Sequence, residues 1–131
     1  MSSQRQRFEL ARDAYLKALR RLHQAAVLPE DDIVRDALIQ RFEFTYEMGW
    51  KALYLWLRGE GEQVPQMGRA VLRMAFTAQV ISDAQLWEEI KDARDETSHT
   101  YNEARAVAVA AFVRAKALGA FDALALRLEG L

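Results

Sequence analysis

Apolar residues recur along most of this chain at spacings of three and four, the period of an amphipathic helix. In the first such stretch Phe8, Ala11, Tyr15, Ala18, Leu19, Leu22 and Ala26 form one buried stripe, which predicts a helix over residues 4–27 with Arg5, Lys17, Arg20 and Arg21 on other faces. His23 lies at the edge of the stripe and reads as a boundary residue. Pro29 breaks the pattern, and Asp31 or Asp32 is placed to cap a second helix over residues 32–58. There Gln40, Glu43, Glu47, Lys51, Tyr54 and Arg58 make a narrow polar stripe. Most other positions from Phe42 onward are apolar, Phe44, Met48, Trp50 and Trp56 among them, as expected of the central member of a bundle. Glu47 and Lys51 have the spacing of a helical ion pair. Arg41 shares an arc with Thr45, Met48, Ala52 and Trp56, so it either points inward or runs its stem along the helix flank.

Residues 59–65, with Gly59, Gly61 and Pro65, form the longest predicted loop. A short third helix over 66–79 packs through Val71, Leu72, Ala75, Phe76 and Ala78. Ser82-Asp83-Ala84-Gln85 has the form of a capping box and opens a fourth helix over 83–97. Thr100-Tyr101-Asn102-Glu103 has the same form, with Thr100 as N-cap, and opens an alanine-rich fifth helix over about 101–128. Its apolar residues spread around much of its surface, which fits either close packing in the bundle or a dimer contact. No repeat or low-complexity segment interrupts the chain. The pattern predicts an all-α protein: one domain over residues 1–131, an up-and-down four-helix bundle with a short additional helix.

Composition narrows the chemistry. With 131 residues, half of them hydrophobic, the chain can bury a real core. The absence of cysteine excludes disulfides and thiolate metal sites and fits a reducing compartment. The stretch from Met1 to Arg7 lacks the apolar core of a signal peptide, and no apolar run approaches the ~20 residues of a membrane span. A soluble cytoplasmic protein without a membrane partner is expected. Eighteen basic residues against 19 acidic ones give a net charge of −1, hence no global footprint for nucleic acid, although two local basic patches could merge in a dimer. His23 and His99 are the only histidines and stand far apart, so no metal site is expected. Neither a P-loop nor a glycine-rich dinucleotide fingerprint occurs, so no cofactor is expected either. Ser98 beside His99 lacks the strand–turn–helix context of a serine nucleophile. The three tryptophans, at helical spacing, read as core.

Candidate chemistry gathers in residues 94–101. Leu86, Trp87, Ile90, Ala93, Arg94 and Thr97 share one arc of the fourth helix, while Glu88, Glu89, Lys91, Asp92, Asp95 and Glu96 look outward. Arg94 therefore lies on the apolar seam, where a guanidinium that cannot shed its proton needs a partner or a ligand. His99 follows in the junction, and histidine is the side chain that exchanges protons near neutral pH. Tyr101 would occupy the first turn of the fifth helix, whose backbone N–H groups favour an anion such as phosphate. The bland alternative is that Arg94 pairs with a carboxylate of the second helix and His99 packs at a turn.

The order Arg94, four residues, His99, one residue, Tyr101 matches the Arg-x4-His-x-Tyr motif of HEPN-domain proteins. Residues 41–51, RFEFTYEMGWK, resemble the second-helix signature of nucleotidyltransferase substrate-binding proteins. The stretch from Ala75-Phe76 through Ile81-Ser82-Asp83 to Trp87, and the residues from Thr97 to Glu103, are similar to the same family. The resemblance runs over residues 32–103, with the flanking helices compatible. It implies a small bundle like the helical C-terminal domain of kanamycin nucleotidyltransferase, a homodimer, and a minimal nucleotidyltransferase encoded nearby. Two roles are implied for such proteins. In one, the bundle binds nucleotide or substrate for the transferase and is not catalytic. In the other, it is a metal-independent RNase toxin, and the transferase is the antitoxin that neutralises it by AMPylation of the motif tyrosine, here Tyr101.

Carried onto this chain, the catalytic residues are Arg94, stabilising charge on the phosphorane, and His99, acting as acid or base on the 2′-hydroxyl or the leaving 5′-oxygen. Asp95, Glu43 and Glu47 are the expected supporting residues, with Asp95 a candidate to orient His99. Asp95 is also a departure, because close relatives often have asparagine there and a carboxylate adds negative charge beside a phosphate site. A third possibility, a bundle that only binds other proteins, predicts no loss of function on changing Arg94 or His99.

Overall fold

The computed structural model describes residues 3–131 of the protein. Met1 and Ser2, the start of the stretch read as lacking a leader, lie outside the described residues. Six helices follow one another: α1 (Ser3–Ala26), α2 (Asp32–Gly59), α3 (Gly68–Thr77), α4 (Ala84–Glu96), α5 (Glu103–Phe112) and α6 (Leu118–Gly130). A 3-10 turn, Thr97–His99, follows α4, and a π-helical turn, Val113–Ala117, joins α5 to α6 in one rod. The described residues contain no strand, and the architecture is an all-α helical bundle, four long rods with the short α3 added. Among them no helix is long and apolar enough to cross a membrane.

Helix ends follow local chemistry. Asp31 caps α2 by accepting from the Val34 N–H at 2.7 Å. At the other end Gly61 takes φ +86° and the Glu62 N–H reaches the Leu57 carbonyl, closing the last turn as only a residue tolerant of positive φ does easily. The capping boxes differ from the expectation. Asp83, not Ser82, caps α4 through the Leu86 N–H. Asn102, not Thr100, caps α5 through the Arg105 N–H. Thr100 is drawn the other way: its hydroxyl donates to the Thr97 carbonyl at 3.1 Å and closes the 3-10 turn. The fifth helix therefore starts two residues later than predicted, and Tyr101 lies in the junction rather than in a first turn.

The core converges on Phe121. Its ring stacks on Phe42 of α2 at 5.9 Å, meets Trp87 of α4 at 5.7 Å and takes Tyr15 of α1 edge-on at 6.4 Å. The Tyr15 hydroxyl, fully buried, donates to the Phe121 carbonyl at 2.6 Å. Burial raises that phenol well above its ordinary pKa, with Asp122 adding to the rise, so it stays a donor. Gly49 makes this crossing possible: a Cβ there would stand 3.0 Å from a Tyr15 ring carbon. The π turn follows from the same packing. The Leu118 N–H reaches back five residues to the Val113 carbonyl, and the wider turn keeps Val113, Ala117 and Phe121, four apart, on the buried side.

Four side chains at the edges of the apolar stripes resolve here. Arg41 lies along the α1–α2 flank and donates to the Arg21 carbonyl at 2.7 Å. His23 bonds Asp122 at 2.7 Å across α1 and α6, half-exposed as a boundary residue should be. Phe44 and Phe76, counted as packing residues, are 48% and 44% exposed.

Candidate functional site

Arg94 leaves the last turn of α4 toward α2. Its Nε bonds a Glu47 carboxylate oxygen at 3.3 Å and its Nη1 stands 3.2 Å from Glu43. Glu43 and Glu47 are one turn apart on α2 and so present both carboxylates to the same guanidinium. Nη1 also donates to the Thr97 hydroxyl at 2.9 Å, while that hydroxyl donates to the Arg94 carbonyl at 2.6 Å. Thr97 is 7% exposed, which fixes this loop of bonds at the helix end. The other Glu47 oxygen accepts from the Trp50 indole at 3.0 Å. Glu47 is thus held from two sides and does not pair with Lys51, whose ammonium instead lies 5.8 Å over the Trp50 ring. The pairing with α2 carboxylates that was the bland alternative for Arg94 is realised. It is also incomplete: the side chain keeps 29% of its exposure, and the contacts to Glu43, Glu47 and Thr97 use only Nε and Nη1 of the guanidinium.

His99 and Tyr101 lie on the outside of the junction. Both are exposed, Tyr101 to 86%, and their rings meet edge-to-face at 6.2 Å. Packing of His99 at a turn, the second half of the bland alternative, does not occur. Arg94 and His99 make no hydrogen bond to each other: the Arg94 guanidinium turns to Glu43, Glu47 and Thr97, and the His99 ring meets Tyr101. Asp95 does not orient His99: both of its oxygens are taken by Lys91, at 2.6 and 2.8 Å, one turn back on the exposed side of α4. That pairing sets the Lys91 ammonium against the Asp95 carboxylate. Asn102 occupies the α5 end as its cap, so the anion-binding end expected there is in use by the chain itself.

Tyr46 is a member of this neighbourhood that the pattern did not single out. It lies on α2 beside Glu47 and is 2% exposed, and its hydroxyl has no hydrogen-bond partner among the described residues. Desolvation first, then Glu47 and Asp95, raise this phenol above its ordinary pKa. The only sequence signal for it is its place in the segment 41–51. Thr97 was legible as the residue sharing Arg94's arc. No group of three or more histidine, aspartate or glutamate side chains among the described residues is arranged to hold a metal ion.

The sequence pattern of a family described as nucleotidyltransferase substrate binding protein like matches residues 6–130. The chain belongs to that family. It is also similar to the Probable ribonuclease HepT of Haemophilus influenzae, 34% identical over 88 residues, 61% of this chain and 60% of that protein. The chain thus spans about three-fifths of that relative's length. A crystal structure of a protein from Thermus thermophilus superposes with a TM-score of 0.73 at 36% identity, covering 88% of this chain and 96% of that one. In this member of the nucleotidyltransferase substrate-binding family, the Arg-x4-His-x-Tyr residues divide into a cation held by two α2 carboxylates at the end of α4 and an exposed imidazole whose ring meets an exposed phenol at the α4–α5 junction.

Proposed function

We propose that this protein is a metal-independent endoribonuclease of toxin type, and that a separately encoded minimal nucleotidyltransferase neutralises it by transferring AMP to Tyr101. The observation that carries the reading is the placement of the tyrosines. Of four in the chain, Tyr15 and Tyr46 are buried and Tyr54 is half-buried, its oxygen accepting from Arg58 at 3.1 Å. Tyr101 alone among them stands almost wholly in solvent, and its ring lies against His99. A second enzyme can reach it, and what it adds there covers the imidazole. The printed name of the Haemophilus influenzae relative, a probable ribonuclease, adds support.

In the cleavage step the ribose 2′-oxygen attacks the adjacent phosphorus and the bond to the 5′-oxygen breaks. One base takes the 2′ proton, and one acid protonates the leaving oxygen. Arg94, through Nη2, faces the charge that grows on the phosphoryl oxygens. Glu43, Glu47 and Thr97 are positioning residues that hold the guanidinium plane. One chain supplies a single imidazole at this face, so a homodimer that brings two junctions together provides separate acid and base. In the neutralising step the Tyr101 oxygen attacks the α-phosphorus of ATP, pyrophosphate leaves, and the phenolic proton passes to the transferase or to water. The AMP phosphodiester then sets bulk and negative charge in front of His99.

The test is RNA cleavage in the presence of a chelator, before and after incubation with the nucleotidyltransferase encoded nearby and ATP, with the product followed by mass spectrometry. Cleavage that disappears as one adenylyl group appears on Tyr101 is the expected result; cleavage that persists on fully adenylylated protein refutes the neutralisation. The second reading, a non-catalytic nucleotide- or substrate-binding subunit of the transferase, draws on the two carboxylates already engaging Arg94. It predicts nucleotide binding with no cleavage by the unmodified chain.

A further inference from the structure

Between them α3 and α4 line a groove of about 250 Å³. Arg69, Arg73 and Phe76 stand on one face of α3, four and three residues apart, and form one wall. Trp87, Glu88 and Lys91 of α4 form the floor and the opposite wall. Two guanidiniums, Arg69 and Arg73, therefore face one carboxylate, Glu88, while Lys91 is paired with Asp95. Glu88 spans Arg69 at 3.6 Å and Arg73 at 3.9 Å with 40% of its side chain exposed, a loose arrangement of the kind that contributes little and yields to a phosphate binding a guanidinium at two oxygens. Phe76 stands at the rim with 44% of its surface exposed.

The groove is aligned with the candidate site. Lys91, at the groove's edge on the exposed side of α4, is one turn before Arg94, about 4.5 Å along the axis. On α3, Arg69 follows Gly68, which abuts the buried, unpartnered Tyr46 hydroxyl: a Cβ at Gly68 would stand 3.1 Å from that oxygen. No side chain caps this end of α3. Arg69 and Arg94 are both close enough to the Tyr46 phenol to act on its charge, so the Arg69 end of the groove lies toward the region of Arg94.

We propose that the α3–α4 groove is a nucleotide subsite that holds the residue of a single-stranded RNA next to the reacting phosphate. The base stacks on Phe76 over the Trp87 floor, and the flanking phosphate displaces Glu88 from Arg69 and Arg73. The volume suits one base rather than a protein helix, and the pairing of an exposed ring with a cationic rim is how single strands are held without reading sequence. The inference rests on the proposed RNA substrate, but it concerns binding and is tested apart from cleavage.

The test is anisotropy of a short labelled single-stranded RNA titrated with the His99→Ala protein, which does not turn the probe over on the reading above. Phe76→Ala and Arg73→Glu are then added singly; both residues are exposed enough for the fold to tolerate the change. Each is expected to weaken binding about tenfold, and Arg73→Glu to flatten the salt dependence. Lys17→Glu, in the basic groove between α1 and α2, is expected to leave affinity within about twofold of its parent. Unchanged affinity in Phe76→Ala and Arg73→Glu overturns the subsite, even if the wild-type protein cleaves RNA. Loss through Lys17→Glu instead, displacement of the probe by AMP at equal affinity, or loss of nucleotidyltransferase binding in place of RNA binding overturns it as well. Phe76-dependent RNA binding by a wild-type protein that cuts nothing leaves the subsite standing and removes the nuclease reading.

Discussion

Replacing Arg94 and His99 by alanine separates two roles that the motif joins. Arg94→Ala removes two ion pairs with carboxylates that keep about a third of their exposure, and a hydrogen bond from a charged donor to the buried Thr97 hydroxyl. Partly exposed pairs contribute about 0.5 kcal/mol each, and the charged bond about 1 kcal/mol. The loss is therefore about 2 kcal/mol, enlarged slightly by the mutual repulsion of Glu43 and Glu47 once the cation is gone. Unfolding entropy of about 2.1 cal/mol/K per residue, over 131 residues, converts this to a fall in Tm of about 7 °C. His99 is exposed, and its side chain makes no hydrogen bond, so His99→Ala is expected to move Tm by less than about 2 °C. Thermal unfolding followed by circular dichroism measures both. A Tm unchanged by Arg94→Ala would mean that the α2 carboxylates do not hold the guanidinium. A fall of more than about 5 °C with His99→Ala would make the imidazole a structural residue and remove it from the chemistry.

Other expectations concern the frame that positions the junction. Tyr15→Phe, which deletes a buried donor to the Phe121 carbonyl, should cost about 1–2 kcal/mol in urea unfolding, whereas Tyr46→Phe, which deletes a hydroxyl without a partner, should be neutral or stabilising. Gly49→Ala should destabilise by about 1–3 kcal/mol in the same measurement, since the new Cβ stands 3.0 Å from the Tyr15 ring; no loss would mean that α1 and α2 separate easily. Glu30, at the α1–α2 turn, is held below the ordinary glutamate range, first by its bond to Arg35 and then by Arg114. The unfolded chain therefore takes up this proton first, and the contribution of Glu30, fully present above the ordinary range, is lost as pH falls through the lower folded value. Glu30→Gln should lower stability at pH 7 and converge with the wild type as pH falls below the ordinary glutamate range; parallel curves would refute the pairing.

What was legible in the sequence is what a single helix records about itself. The period of three and four located every helix, and placing Arg94 on the seam of α4 anticipated that it turns toward α2. What was not legible depends on competition between neighbours. Glu47 has Lys51 at the right spacing, but Arg94 and the Trp50 indole take its oxygens, and nothing within α2 announces them. Asp95 is one residue from the seam, yet Lys91 one turn back captures both of its oxygens. Thr100-x-x-Glu103 satisfies the pattern of a capping box, but the 3-10 turn draws the Thr100 hydroxyl to Thr97 and hands the cap to Asn102. The apolar residues of the last rod look scattered on a regular helical wheel because the π turn resets the phase between Val113 and Phe121. Phe44 and Phe76 fit an apolar stripe equally well whether a neighbour covers them or not, and none of the described residues does so fully.

The central claim is that the exposed imidazole at the α4–α5 junction performs acid–base chemistry on RNA. Its most direct test is the rate at which wild-type and His99→Ala proteins, matched in Tm, cleave a single-stranded RNA in excess chelator. The account predicts cleavage by the wild type and a rate at least about 10²-fold lower for His99→Ala. Equal rates for the two proteins, or no cleavage by either, would contradict it.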